Sequence, residues 1–200
     1  MRSSYPELKQ VDAGFLTYIS LENAVHLLLR LTNECTARAV FGIMYAEARK
    51  VDENFKSSGH YNYSGVQTDS GRWGYSDPIK ARFSKKDVSG KVREFAAFKD
   101  DAGFFDFMIN RIEKKGFNGC DPNQWTQTYI QKWWSPSKKN EYTPGSTKFN
   151  EKKNIFLSAM KRFDKFKQTY KGQTQKAGFK IGGWFIPLLA IAAIFIILDE

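Results

Sequence analysis

Glu47 lies near the end of an apolar run, residues 39–51, and fifteen residues further on stands Asn62-Tyr63-Ser64-Gly65-Val66-Gln67. Read with helical period, Val40, Ile43, Met44, Ala48 and Val51 form one stripe, and Glu47 follows Met44 by three residues and Ile43 by four. That spacing predicts a carboxyl group on the core-facing side of a helix. Removal from water disfavours the charged form, so such a group is expected to keep its proton near neutrality. A neutral carboxylic acid is what protonation of a glycosidic oxygen requires. The plainer reading is an end-of-helix glutamate paired with Arg38, Arg49 or Lys50, and periodicity alone favours it.

Other chemistry has fewer residues to work with. The chain holds two histidines and two cysteines. Cys35 and Cys120 have no metal-ligand spacing, and whether they pair is open from sequence. With only His26 and His60, a histidine-rich zinc site is not expected, nor is any metal or cofactor. Cys35-Thr36 opens a predicted helix, whose dipole lowers a thiol pKa, so a cysteine hydrolase using His60 is a rival. His26 stands four residues from both Glu22 and Arg30 and reads as a surface pair.

The elements that must position Glu47 follow from punctuation and period. A first helix is expected over about 12–31, with Leu21, Ala24, Val25, Leu28 and Leu29 inward, and a second over 33–51, capped by Thr32 or Asn33. Residues 56–78, rich in Gly, Ser, Asp, Asn and Tyr, read as irregular, with aromatic and polar side chains interleaved. Ile79, Ala81 and Phe83 alternate with Lys80 and Arg82, and residues 92–98 can pair back on them across 88–91 as a hairpin, giving a small β-lobe. Asp100 or Asp101 starts a helix that Gly116 ends, and Asp121-Pro122-Asn123-Gln124 caps another. Trp125, Tyr129 and Trp133 fall on one face of it, where core packing is the ordinary role.

A helix ending in Glu, then Asn-aromatic-x-Gly-aliphatic, a β-lobe closing on Arg93-Glu94-Phe95-Ala96-Ala97-Phe98, a helix, and Gly116-Phe117-Asn118-Gly119-Cys120-Asp121-Pro122: this order resembles the glucosaminidase family of lysozyme-like peptidoglycan hydrolases. The resemblance covers about residues 35–134. It implies an α+β, mostly helical fold, a lysozyme-like helical core with a small β-lobe, and Glu47 as general acid. It further implies a glycan strand in a groove between core and lobe. There Asn62 and the backbone near Gly65 would hold an N-acetyl group, and Tyr61, Tyr63, Trp73 or Tyr75 would stack on sugar faces. A tyrosine common in the family's last segment is Phe117 here, so Tyr129 or Tyr61 is the candidate to replace it. A second carboxylate would be Asp87 or Glu94. The family cleaves with inversion or with help from the substrate's acetamido group, so one acid can suffice.

Net charge is +10, unevenly spread: residues 148–180 carry ten basic and two acidic groups, leaving 21 and 17 in residues 1–147. The expected organisation is a catalytic domain at 1–134, a linker at 135–153, a basic amphipathic stalk at 154–180 and a transmembrane anchor at 181–198. The last segment has eighteen residues without a charge, about 27 Å of helix, close to the hydrocarbon thickness of a bilayer. In the stalk, Phe156, Ala159, Met160, Phe163, Phe166 and Tyr170 share one face opposite Lys161, Arg162, Lys165 and Lys167. An interfacial helix meeting anionic lipid head groups is expected, with a helix packed on the catalytic domain as the alternative. Nucleic acid is not an expected partner, because the globular part has little excess charge.

Residues 1–10 include Arg2, Pro6, Glu7 and Lys9 and read as no signal peptide. By the positive-inside tendency, Lys165 to Lys180 would keep the N-terminal domain cytosolic, away from peptidoglycan. A bacteriophage with an internal membrane, whose particle carries the enzyme to the next host's wall, resolves that conflict; a bacterial inner-membrane enzyme is the alternative. The expected function is a membrane-anchored glycosidase of peptidoglycan glycan strands. The alternatives are a lytic transglycosylase using the same Glu, or a non-catalytic structural or assembly protein of a virion.

Overall fold

The computed structural model describes residues 9–12, 14–68, 79, 81–86, 89–134, 142–170, 180–181 and 184–185. The chain is α+β: a helical core carries two three-stranded sheets of short strands. Residues 1–170 form one unit and 171–200 another.

The core begins with α1 (Leu21–Leu31) and α2 (Glu34–Glu47). Ser20 caps α1 by accepting from the Asn23 N–H, and Asn33 caps α2 by accepting from the Thr36 N–H at 3.0 Å. The sequence predicts a longer first helix from about residue 12. Instead β2 (Tyr18–Ser20) precedes it and pairs antiparallel with β4 (Asn54–Lys56). The second helix also stops earlier than its apolar period suggests. Ala48 turns to extended backbone while its N–H still reaches the Met44 carbonyl, and Arg49, Lys50 and Val51 become β3 (Arg49–Val51). The reason lies just beyond: Asp52 and Glu53 both take positive φ, +47° and +60°, forming the tight two-residue turn that folds β3 back on β4. Glu47 is therefore the last residue of α2, at the junction of core and sheet.

The second sheet has β1 (Lys9–Gln10) parallel to β5 (Ala81–Lys86), which pairs antiparallel with β6 (Val92–Ala97) in the expected hairpin. The chain after the Asn62 motif runs along the other side of β6: the Ala96 N–H donates to the Val66 carbonyl and the Thr68 N–H to that of Glu94. α3 (Asp101–Lys115) begins at the Asp100 cap and ends at Gly116, as the sequence predicts. α4 (Pro122–Thr128) begins at the Asp121 cap, also as predicted, and runs into a π-helix, Tyr129–Trp134.

A disulfide joins Cys35 in the first turn of α2 to Cys120 just before α4, with Cα atoms 5.0 Å apart. Both cysteines of the chain are consumed by it, which removes the nucleophile of the cysteine-hydrolase rival. Gly119 is what lets the two segments touch: a Cβ there would lie 2.3 Å from the Cys35 carbonyl oxygen and 2.4 Å from the Ala39 nitrogen.

α5 (Thr147–Lys167) corrects the expected stalk. It packs on α1, α2 and α4, and Phe149, Phe156, Ala159, Met160 and Phe163 are buried in the main core. Its apolar face is therefore occupied by the domain and is not free to lie in a membrane interface; the packed-helix alternative is the observed one. Ion pairs lock it in place. Arg38 on α2 bridges Glu34 and Asp164, Lys167 reaches Glu34 at 2.6 Å, and Arg162 reaches Glu53 at 2.9 Å. The Lys167 ammonium and then Arg38 hold the Glu34 carboxyl below its ordinary pKa. His26 lies 3.9 Å from Glu22, the pair its spacing suggests, and its Nε2 is also 3.0 Å from the Phe166 carbonyl of α5.

In the second unit, β7 (Lys180–Ile181) pairs antiparallel with β8 (Trp184–Phe185). The rest of the expected anchor, 181–198, lies outside the described residues, as do residues 135–141 of the expected 135–153 linker, while its residues 147–153 already belong to α5. Among the described residues no helix is long and apolar enough to cross a membrane.

Candidate functional site

Glu47 meets the π-helix. The Tyr129 hydroxyl lies 3.4 Å from Glu47 Oε1, and the nearby Trp133 side chain also favours the ionised carboxyl group. A π-helix brings residues five apart into line, and here the rings of Tyr129 and Trp134 are parallel within 6° at 6.3 Å. Tyr129 also stacks on Trp125 at 4.9 Å, and Trp125 on Phe156 at 4.2 Å. This column of rings, with the Trp125 indole N–H donating to the Ala39 carbonyl at 3.1 Å, fixes Tyr129 from behind. The tyrosine keeps its proton, since burial and the neighbouring carboxyl both push its pKa up.

Burial dominates the ionisation of Glu47. It raises the carboxyl to about 7, against the opposing effect of Trp133 and Tyr129. Those two neighbours favour the carboxylate, so the group can both hold a proton and survive losing it. The raised acidity range expected from the apolar stripe is thus present, with two partners that periodicity did not assign.

A cavity of about 300 Å³ opens beside Glu47, lined by Leu16, Arg49, Lys56, Ser57, Ser58, Tyr63, Ser64, Gly65 and Lys85. One wall is the 59–66 loop, which is shaped by Asn62. This side chain is 0% exposed; its amide donates to the Val66 and Ala96 carbonyls at 2.9 and 3.0 Å, and its oxygen accepts from the Val66 N–H at 2.8 Å. The expected direct contact of Asn62 with an N-acetyl group is therefore corrected. All its polar atoms are engaged in closing the turn and tying it to β6.

Tyr63 is corrected likewise. At 2% exposure its ring stands edge-on against Phe104 and its hydroxyl donates to Asp101 at 2.7 Å, leaving no free face for a sugar. Burial raises the Asp101 carboxyl above its ordinary value. Tyr61 does not line the cavity; its ring packs on Phe15 at 5.8 Å. Gly65 does line it, at a φ of +63° that a side chain would strain.

His60 and Tyr61 hold positive φ, +47° and +60°, without being glycine. Such a pair persists only where surroundings fix it. Here the His60 N–H donates to Phe15, its carbonyl accepts from Phe98, and its ring nitrogen meets the Asp12 carbonyl.

Trp73, Tyr75 and Asp87 lie outside the described residues. Glu94 is paired with Arg82 at 2.7 Å and does not line the cavity. Among the described lining residues Glu47 is the one carboxyl group, and Arg49, Lys56 and Lys85 supply three cations. Among the described residues no three His, Cys, Asp or Glu side chains gather as a metal site needs. No family model, curated protein or solved structure matches this chain.

Proposed function

We propose that this protein is a lysozyme-like glycosidase that cuts peptidoglycan glycan strands, with Glu47 as general acid. The single observation that carries the reading is the position of Glu47, a carboxyl group at a helix end that faces a cavity and that burial pushes up to about 7. The resemblance of the Glu47, Asn62 and Gly65 pattern to the glucosaminidase family supplies the substrate class. The 300 Å³ cavity falls at the lower end of the range of about 300 to 1,000 Å³ for small-molecule sites.

In this mechanism the neutral Glu47 carboxyl donates its proton to the glycosidic oxygen as the bond from that oxygen to the anomeric carbon breaks. Tyr129 and Trp133 then stabilise the carboxylate that remains. The same carboxylate next removes a proton from the group that attacks the anomeric carbon. Attack by water gives hydrolysis and a reducing end. Attack by the sugar's own 6-hydroxyl gives an anhydro end and a lytic transglycosylase. That second reading is favoured by Glu47 being the one carboxyl group among the described lining residues.

Mass spectrometry of fragments released by the full chain from purified peptidoglycan tests the proposal. Reducing ends identify a hydrolase, anhydro ends a transglycosylase, and the terminal sugar names the bond. A folded protein that releases neither is the outcome expected of a non-catalytic virion structural protein. Residues 181–198 are proposed as the membrane anchor, within a phage particle. Lysines on the outward face of α5 are proposed to meet anionic head groups by charge alone.

A further inference from the structure

The cations around Glu47 are arranged at a cost to the fold. Arg49 on β3 stands directly opposite Lys56 on β4, and Lys85 on β5 directly opposite Arg93 on β6. Like charges facing each other across an antiparallel ladder are destabilising, and the usual pattern is to alternate sign. Yet Arg49, Lys56 and Lys85 all line the same cavity, from two different sheets. None of the three forms an ion pair with a carboxylate among the described residues.

Two of them are held rather than left to wander. Lys85 Nζ donates to the Ser58 carbonyl at 3.0 Å, which ties the ammonium to the loop that walls the cavity. Lys56 Nζ sits 5.4 Å from the centre of the Tyr18 ring. The concentration of charge is local. Residues 1–147 as a whole carry 21 basic and 17 acidic groups, so a cavity with three cations and one carboxyl group departs from its surroundings. With Glu47 in its neutral, acid form, nothing among the described lining residues offsets them.

We infer that Arg49, Lys56 and Lys85 form a subsite for a carboxylate carried by the glycan strand, beside the bond that Glu47 cuts. The inference rests on the glycosidase reading and deepens it. The enzyme selects acidic, carboxylate-bearing strands over neutral N-acetylated sugar polymers. Hydroxyls of Ser57 and Ser58 lie in the same wall and complete a polar surround for an anion.

The test uses the full chain and two preparations of one peptidoglycan, untreated and with its carboxylates converted to neutral amides. Initial rates at limiting substrate are compared for wild type and for the double variant Lys56→Gln/Lys85→Gln. Wild type is expected to cut untreated strands at least tenfold faster than amidated ones, roughly the effect of one charge-assisted hydrogen bond. In the double variant that preference is expected to collapse, with untreated strands cut at the rate of amidated ones. Thermal unfolding establishes that the double variant is folded. Equal rates on both preparations overturn the subsite and leave the glycosidase standing. Absence of cleavage of either preparation by folded wild type overturns the glycosidase reading, and the subsite with it.

Discussion

The Tyr129 hydroxyl lies 3.4 Å from Glu47 Oε1, joining a π-helix to the last residue of α2 across 82 positions of sequence. The contact favours the carboxylate, while burial favours the acid, and burial wins. Tyr129→Phe is expected to raise the Glu47 pKa further, because a donor to the charged form is lost. In a pH profile of kcat/KM the alkaline limb of wild type should fall with a pKa of about 7. For Tyr129→Phe the limb should move to higher pH, with a maximal rate lower by on the order of tenfold. An unmoved limb contradicts the assignment of that limb to Glu47.

The same burial makes a prediction about stability. The folded Glu47 pKa, about 7, lies above its ordinary 4.5, so the folded protein binds more protons than the unfolded chain between these values. Its contribution to stability is then full below pH 4.5 and is lost as pH rises through about 7. The shift corresponds to about 3 kcal/mol. Glu47→Gln removes this dependence, so chemical denaturation at pH 8 should find the variant more stable than wild type, with the difference shrinking toward pH 4.5. Parallel stability curves for the two proteins exclude a buried, proton-holding Glu47.

Asn62 tests the corrected role. Asn62→Ala strips partners from the Val66 N–H and from the Val66 and Ala96 carbonyls. A loss of roughly 3 kcal/mol in denaturant titration is expected. A residue that only contacts substrate would instead change KM and leave the unfolding midpoint where it was.

The disulfide links the elements that bear Glu47 and Tyr129 at their far ends. Replacing Cys35 and Cys120 by Ser is expected to lower stability by roughly 4 to 5 kcal/mol, given a closed loop spanning 85 positions. Gly119→Ala should destabilise without touching either sulfur, because its Cβ meets backbone atoms at 2.3 and 2.4 Å. Thermal unfolding with and without reductant separates the two effects.

Helix caps carried much of the fold in plain sight. Asn33, Asp100, Gly116 and Asp121 mark their helix ends because a short polar side chain or a glycine there serves the free backbone groups. The β5–β6 hairpin was equally legible from alternation. What misled was period without a partner. Val51 continues the apolar stripe of α2, but the turn at Asp52 and Glu53 draws it into a strand. The apolar face of α5 has the same pattern whether it meets a membrane or α2, and sequence period carries no address.

In the site, Glu47 was readable because its chemistry depends on one helix face. Its surroundings were legible in part: Tyr129 was a candidate through the family resemblance and meets Glu47, while Trp133, on the same face at spacing four, reads as ordinary core. Asn62 carries part of the resemblance to a family pattern and Tyr63 stands beside it, but whether such residues touch substrate or shape the wall depends on burial, and both are buried. Arg49, Lys56 and Lys85 converge only when β3, β4 and β5 are assembled.

The central claim is that Glu47 is the general acid. The most direct measurement incubates the full chain, as wild type and as Glu47→Gln, with purified peptidoglycan and counts new chain ends over time. Thermal unfolding establishes that both proteins are folded. The expected result is release by wild type and a loss on the order of 100-fold to 10,000-fold in the variant. A folded Glu47→Gln protein that releases ends at the wild-type rate contradicts the assignment outright.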